Sequence, residues 1–182
     1  MIHRVVASRY ARALFDAAFG MKVMKTVTDE FPAFLDTINT SKDFRNFLYH
    51  PTIGAADKKR VVENAFKDKV SGVLLEFLFL VVEKKREVYL PYIWEKYRQL
   101  VMEYEGRAEA QVFTPFPLDD VQRDSLRKML SSITGKQITI EEVKSPELIG
   151  GIRVKVGDLV MDGSLSHTLQ QAREHLLSIK VH

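Results

Sequence analysis

Histidine is the most versatile catalytic and metal-binding side chain, and the sequence has five: His3, His50, His167, His175 and His182. No two stand four apart on one helical pattern, and none lies in an HExxH run, so no metal centre is expected. Gly135–Lys136 resembles the end of a phosphate loop, but Leu130 stands where that loop needs its first glycine. Gly150 and Gly151 lack the third glycine of a dinucleotide fingerprint and lead into a strand instead of a helix. There is no GxSxG elbow, and the absence of cysteine excludes thiolate ligands, disulfides and a cysteine nucleophile.

Two carboxylates could do acid–base work, Asp158 and Asp162. Asp158 follows Gly157 at a tight hairpin turn, where aspartate is favoured. Asp162 or Ser164 suits the cap of a following helix, a role worth ~1 kcal/mol. Phosphate contacts could come from Lys58, Lys59 and Arg60 beside Asp57, or from Lys84, Lys85 and Arg86. The formal charge is only +3, and residues 1–105 carry 17 Lys/Arg against 14 Asp/Glu, with 10 against 10 in the remainder. Nucleic-acid binders concentrate cations on one face. Here acids interleave with them, and the clusters read as solvated helix surfaces. No catalytic residue, cofactor, metal or nucleic-acid partner is expected.

The elements that would carry these residues fall into two sets. Tyr10, Ala13, Leu14, Ala17 and Ala18 recur at three- and four-residue steps and predict a first amphipathic helix. A second carries Met21, Met24, Val27, Phe31, Phe34, Leu35 and Ile38, with Pro32 expected to bend or interrupt it. Ser41 caps a short third helix with Phe44, Phe47 and Leu48, stopped by His50–Pro51. After Gly54 a fourth helix buries Val61, Val62, Ala65 and Phe66 and exposes Asp57, Lys58, Lys59 and Arg60. Ser71 is expected to cap a fifth, apolar nearly all round over 73–82 as a central bundle helix is. Pro91 opens a sixth with Ile93, Trp94, Tyr97, Leu100, Val101 and Tyr104.

Beyond Gly106 the period changes. Ala108, Ala110 and Val112 alternate with polar neighbours over 107–114, a strand signal ended by Pro115 and Pro117. Leu118, Val121, Leu126, Met129, Leu130 and Ile133 describe a helix closed by Gly135. Two strands follow at Ile138, Ile140 and Val143 and at Ile152, Val154 and Val156. Gly157–Asp158 then turns into 159–161. Leu165, Leu169, Ala172, Leu176 and Ile179 mark a last helix. The expected fold is an N-terminal six-helix bundle over 1–105 and a small mixed α+β domain over 106–182. Hydrophobic residues are 46% of the chain, enough for such cores, yet the apolar run 73–82 is broken by Glu76 and far shorter than the ~20 residues of a membrane span.

The stretch 145–165, with Leu148, Gly150, Gly151, Val154, Lys155, Gly157, Asp162, Gly163 and Ser164, continuing to Leu169, resembles the C-terminal signature of the ATP synthase delta subunit family, whose mitochondrial members are called oligomycin-sensitivity-conferring protein. Arg9 to Phe15 is similar to that family's opening helix, and 77–90 to its fifth. Lys144 and Ser145 replace the usual hydrophobic–aspartate pair, though Ser145–Pro146 is a good cap and first turn. Ser166 and Thr168 stand where the family often has arginines.

The resemblance implies a non-catalytic stator of an F-type ATP synthase. Residues 1–105 would bind the N-terminal helices of α subunits on the catalytic head, and 106–182 the C-terminal ends of the b subunits of the peripheral stalk. Proton flow would thereby stay coupled to ATP synthesis. For the α-subunit groove it implies Tyr10, Ala11, Leu14 and Phe15 on the first helix, with Ala13 beside them, and Phe79 and Val82 on the fifth, with Leu80. Gly150, Gly151, Gly157, Asp162, Gly163 and Ser164 would shape the fold of the second domain. A bacterial chain of this kind would lie at the cytoplasmic side of the cell membrane, held there only through the complex. An RNA-binding antitermination-type helical regulator is the alternative; it would account for the basic clusters but not for the appended signature.

Overall fold

The computed structural model describes residues 2–157 and 159–164, with side chains from residue 5 onward. The chain divides into two compact units, Met1–Val101 and Met102–His182. Helices and a small mixed sheet together make it α+β.

The first unit contains α1 (Ile2–Gly20), α2 (Met24–Thr40), α3 (Lys42–Tyr49), α4 (Ala55–Phe66), α5 (Gly72–Glu83) and α6, which runs on as Leu90–Tyr104; a 3₁₀ turn, Glu87–Tyr89, precedes α6. Their apolar stripes meet in one core, in which Leu14, Val27, Phe31, Phe34, Leu48, Leu74, Leu78, Ile93 and Tyr97 are buried. Aromatic rings lock its layers: Phe34 meets Phe66 edge-on at 4.8 Å, and Phe31 stacks on Trp94 at 5.4 Å. The Tyr97 hydroxyl donates to the Met24 carbonyl at 3.2 Å, so burying this ring strands no polar group.

Three sequence expectations change. Helix α2 passes through Pro32 without ending. Proline removes one backbone donor, and the burial of Phe31 and Phe34 on its two sides outweighs that loss. Ser71 occupies the cap position of α5 but its side chain makes no cap bond, and its buried Oγ has no partner. Glu30 of α2 does the work instead, accepting the Ser71 N–H at 2.7 Å and placing a carboxylate at the positive end of α5. Lys58, expected on a solvated face, is 4% exposed and donates to Glu87 at 2.6 Å. Only the fixed counter-charge makes that burial tolerable.

Helices α1 and α5 end alike. The Val23 N–H reaches the Ala18 carbonyl and the Lys22 N–H that of Phe19; Arg86 and Lys85 repeat the pattern onto Val81 and Val82. These are Schellman closures, yet the left-handed position is held by Lys22 (φ 58°) and Lys85 (φ 53°) instead of glycine.

In the second unit β1 (Arg107–Thr114) leads through α7 (Asp120–Thr134) to β2 (Gln137–Lys144), followed by β3 (Arg153–Val156) and β4 (Leu159–Asp162). The sheet order is β2-β1-β3-β4, with β1 and β2 parallel and the other pairs antiparallel. A parallel β1–β2 pair requires a crossover, which α7 supplies while covering the sheet face. Ala110, Val112, Leu126, Leu130, Ile138, Val154 and Val156 form the core between them. Helix α7 opens with a reciprocal Asp119–Gln122 capping box and closes at Gly135, φ 68°. Asp158 and the helix expected from Leu165 lie outside the described residues.

Candidate partner-binding surfaces

The six residues expected at a groove do not share one face. Ala11 is fully buried, Leu14 is 1% exposed and Val82 2% exposed, all within the core. Phe15 lies at the core margin and stacks on the exposed Phe19 at 6.2 Å. Phe79 turns towards α4, where the Lys59 ammonium lies 6.0 Å from its ring centroid and also pairs with Glu83. Tyr10 is half-buried beside α5, its ring edge-on to Phe77 at 6.4 Å.

That ring pair defines a different strip. On a helix, residues three, four and seven apart share a face. Ala13 and Ala17 follow Tyr10 at these steps, and both are exposed. On α5 the same rule sets half-buried Val73 and exposed Leu80 on the Phe77 face. The α1–α5 seam is therefore floored by aromatic rings and walled by small or aliphatic side chains, a surface that can receive an apolar helix face. The sequence places Ala17 and Val73 on apolar helices but not at a groove; the signal for that is their spacing from Tyr10 and Phe77.

In the second unit Gly151, Asp162, Gly163 and Ser164 lie against one another, while Gly150 and Gly157 stand in neighbouring bends. Gly151 has φ 79°, and a Cβ there would meet the Gly163 carbonyl oxygen at 2.3 Å and Ser164 Cα at 2.9 Å. The Gly163 N–H bonds the Ile152 carbonyl at 2.9 Å. Asp162 accepts from the Ser164 N–H at 3.0 Å and from Arg153 Nε at 2.9 Å. Hydrogen bonds from Ser164 and the Arg153 guanidinium hold its carboxyl down to about 2. Gly157 turns β3 into β4 at φ 59°. Gly150 sits half-buried in the preceding bend. The Ser145 hydroxyl, 5% exposed as a residue, donates to Glu147 at 2.9 Å and the Leu148 N–H returns to the Ser145 carbonyl, closing the turn at one of the positions where the sequence departs from the signature.

Among the described residues no group of three acidic or histidine side chains could hold a metal ion. His50 shares an exposed 2.9 Å hydrogen bond with Thr52. No helix among the described residues is long and apolar enough to cross a membrane.

Comparison with known proteins agrees with the signature. The family profile described as ATP synthase delta (OSCP) subunit matches residues 6–176. The ATP synthase subunit delta of Desulforudis audaxviator is 35% identical over 181 residues, covering all of both chains. That of Desulforamulus reducens is 34% identical over 178 residues, covering 98% of each. A chain in the cryo-EM structure of the Toxoplasma gondii mitochondrial ATP synthase hexamer shares the fold, with a TM-score of 0.69 at 22% identity over 94% of this chain and 97% of that one. With its signature residues assembled around Gly151 and Gly163 and its full length matched, the chain belongs to the ATP synthase delta (OSCP) subunit family.

Proposed function

We propose that this chain is the stator connector of an F-type ATP synthase, with no reaction of its own. Full-length similarity to delta subunits carries this reading. A connector must grip two partners at once, which raises the effective concentration of each and resists release under torque. In this reading the first unit acts as a helical bundle and takes the N-terminal helices of α subunits. The second holds the C-terminal ends of the b subunits. The assembly is peripheral at the cytoplasmic side of the cell membrane, through its partners alone.

The head-binding surface we assign is the α1–α5 seam: Tyr10, Ala13 and Ala17 facing Val73, Phe77 and Leu80. Ala11, Leu14 and Val82 back it from the core, while Phe15 and Phe79 flank the helices on other sides. Small residues let a third helix approach closely, and a few apolar anchors can supply most of the ~12 kcal/mol of a nanomolar complex.

The test is recovery of partners from membranes with the tagged full-length chain. Co-purification of α, β and b chains is expected. Capture of RNA instead, with an affinity falling steeply as salt rises, would replace this reading with the regulator alternative.

A further inference from the structure

The stalk-facing surface can be narrowed to one strand edge. Among the described strands β2 is the outermost on its side of the sheet. The Gln137 N–H bonds the Gly106 carbonyl at 2.8 Å and the Ser145 N–H bonds that of Thr114 at 2.9 Å. In a parallel ladder successive residues face opposite sides, and each directs its N–H and C=O the same way. With Gln137 and Ser145 turned to β1, so are Thr139, Glu141 and Val143. Ile138, Ile140, Glu142 and Lys144 then turn their backbone groups outward, where no described residue bonds them.

Proteins usually protect such an edge with charges, proline or a bulge. β2 has no proline, and it pairs with β1 in unbroken register over eight residues. Its two glutamates are engaged elsewhere: Glu141 accepts from Gln111 at 3.0 Å, and Glu142 from Arg123 at 2.6 Å and the Leu118 N–H at 3.1 Å. Helix α7 covers the face of β2, and among the described residues nothing pairs with its outer edge.

A cavity of about 230 Å³ lies between α7 and this strand, lined by Ile138, Thr139, Ile140, Arg123 and Arg127. Arg123 has four of its five donors engaged: Nε and Nη2 bond Glu142, Nη1 bonds Asp120, and Nη2 also reaches the Leu118 carbonyl. Arg127 uses only Nη2, on Asp124 at 2.6 Å, and its side chain is 53% exposed. Its Nε and Nη1 remain available to a carboxylate, and Lys144 adds a second exposed cation at the strand end.

We propose that the β2 edge is a strand-addition site for an extended, carboxylate-bearing segment of a stalk subunit, with the acid entering the cavity against Arg127. Backbone pairing at Ile138, Ile140, Glu142 and Lys144 supplies the binding, and the Arg127 contact fixes the register. The proposal rests on the stator reading, whose own test is whether the stalk subunits are recovered at all.

Hydrogen exchange at single-residue resolution on the full chain, free and within the assembled ATP synthase, separates the two. In the free chain the amides of Ile138, Ile140, Glu142 and Lys144 exchange fast while those of Thr139, Glu141 and Val143 are slow. In the complex the first set slows by at least about tenfold. A complex that assembles while those amides keep their free rates overturns the strand addition and leaves the stator reading standing; a chain that recovers no stalk subunit overturns both. Arg127→Glu, a change on an exposed side chain, is expected to raise the Kd for the stalk subunits at least about tenfold. Ile140→Pro removes an outward N–H without touching the β1–β2 ladder, and a melting curve establishes that it is folded. Wild-type affinity in Arg127→Glu, or in a folded Ile140→Pro, also overturns the proposal.

Discussion

The Cβ that Gly151 lacks would stand 2.3 Å from the carbonyl oxygen of Gly163, inside any permitted contact. Gly151 also has φ 79°, a region that costs a side-chain-bearing residue about 1–2 kcal/mol by itself. Gly151→Ala is therefore expected to destabilise the second unit by more than about 2 kcal/mol, since backbone must move as well as strain. Limited proteolysis of the full chain should cut within 102–182 and spare the helical unit. Uniform cleavage of both, or wild-type resistance, contradicts this.

The Lys58–Glu87 pair makes an opposite kind of claim. Both side chains are nearly inaccessible, at 6% and 5%. Removing one partner strands the other, so Lys58→Met should cost about 3–5 kcal/mol. Lys58→Met with Glu87→Leu removes both desolvation penalties and should return to within about 1 kcal/mol of the parent. Urea midpoints of the four proteins in the cycle measure the coupling. A double variant no better than the worse single one would show that the site needs its charges.

How much of this was legible in the sequence depends on the range of the interaction. Periodicity found the helices and strands of the described residues because burial on one face acts within a few residues. Gly135 was recognised as the end of α7 because helix closure is local. The burial of Lys58 was hidden: a lysine between Asp57 and Lys59 has the pattern of a solvated face, and its partner is 29 residues away. The role of Glu30 at α5 was hidden similarly, across 41 residues. Helix α5 is apolar almost all round, so its pattern could not say which residues face the core and which a partner. That choice needed the Tyr10–Phe77 contact. The need for glycine at 151 was visible as a signature, but its cause is the backbone at Gly163.

Lys85 offers a gain. At φ 53° it closes α5 where glycine would meet no steric cost. Lys85→Gly should stabilise the first unit by roughly 0.5–1 kcal/mol, the relief of strain being partly offset by the freer unfolded chain. Lys22→Gly, at φ 58° after α1, should behave alike and add to it. A lower denaturation midpoint in either variant would mean that the lysine side chain contributes more than its backbone costs.

Asp162 sets an acid limit on the second unit. Its carboxyl is held to about 2 against an ordinary 3.8, by hydrogen bonds from Ser164 and the Arg153 guanidinium. A depressed folded value means that the stabilisation is complete above 3.8 and is lost as pH falls towards 2. Stability of the second unit should therefore drop across that window, and Asp162→Asn should flatten this part of the profile. Parallel pH curves for parent and variant would remove Asp162 as the cause.

The seam between α1 and α5 can be separated from the core behind it by two substitutions one turn apart. Leu14 is 1% exposed, and Leu14→Asp puts an unpaired charge among apolar side chains, so the first unit should unfold. Ala17 is exposed on the Tyr10 stripe, and Ala17→Asp should leave the melting temperature nearly unchanged. The same variant should weaken binding of an α-subunit N-terminal peptide by at least tenfold, about 1.4 kcal/mol, because the new carboxylate must be desolvated beneath an apolar helix. Titration calorimetry reads the difference directly. A folded Ala17→Asp protein that binds the peptide as tightly as its parent would move the head-binding surface away from this seam.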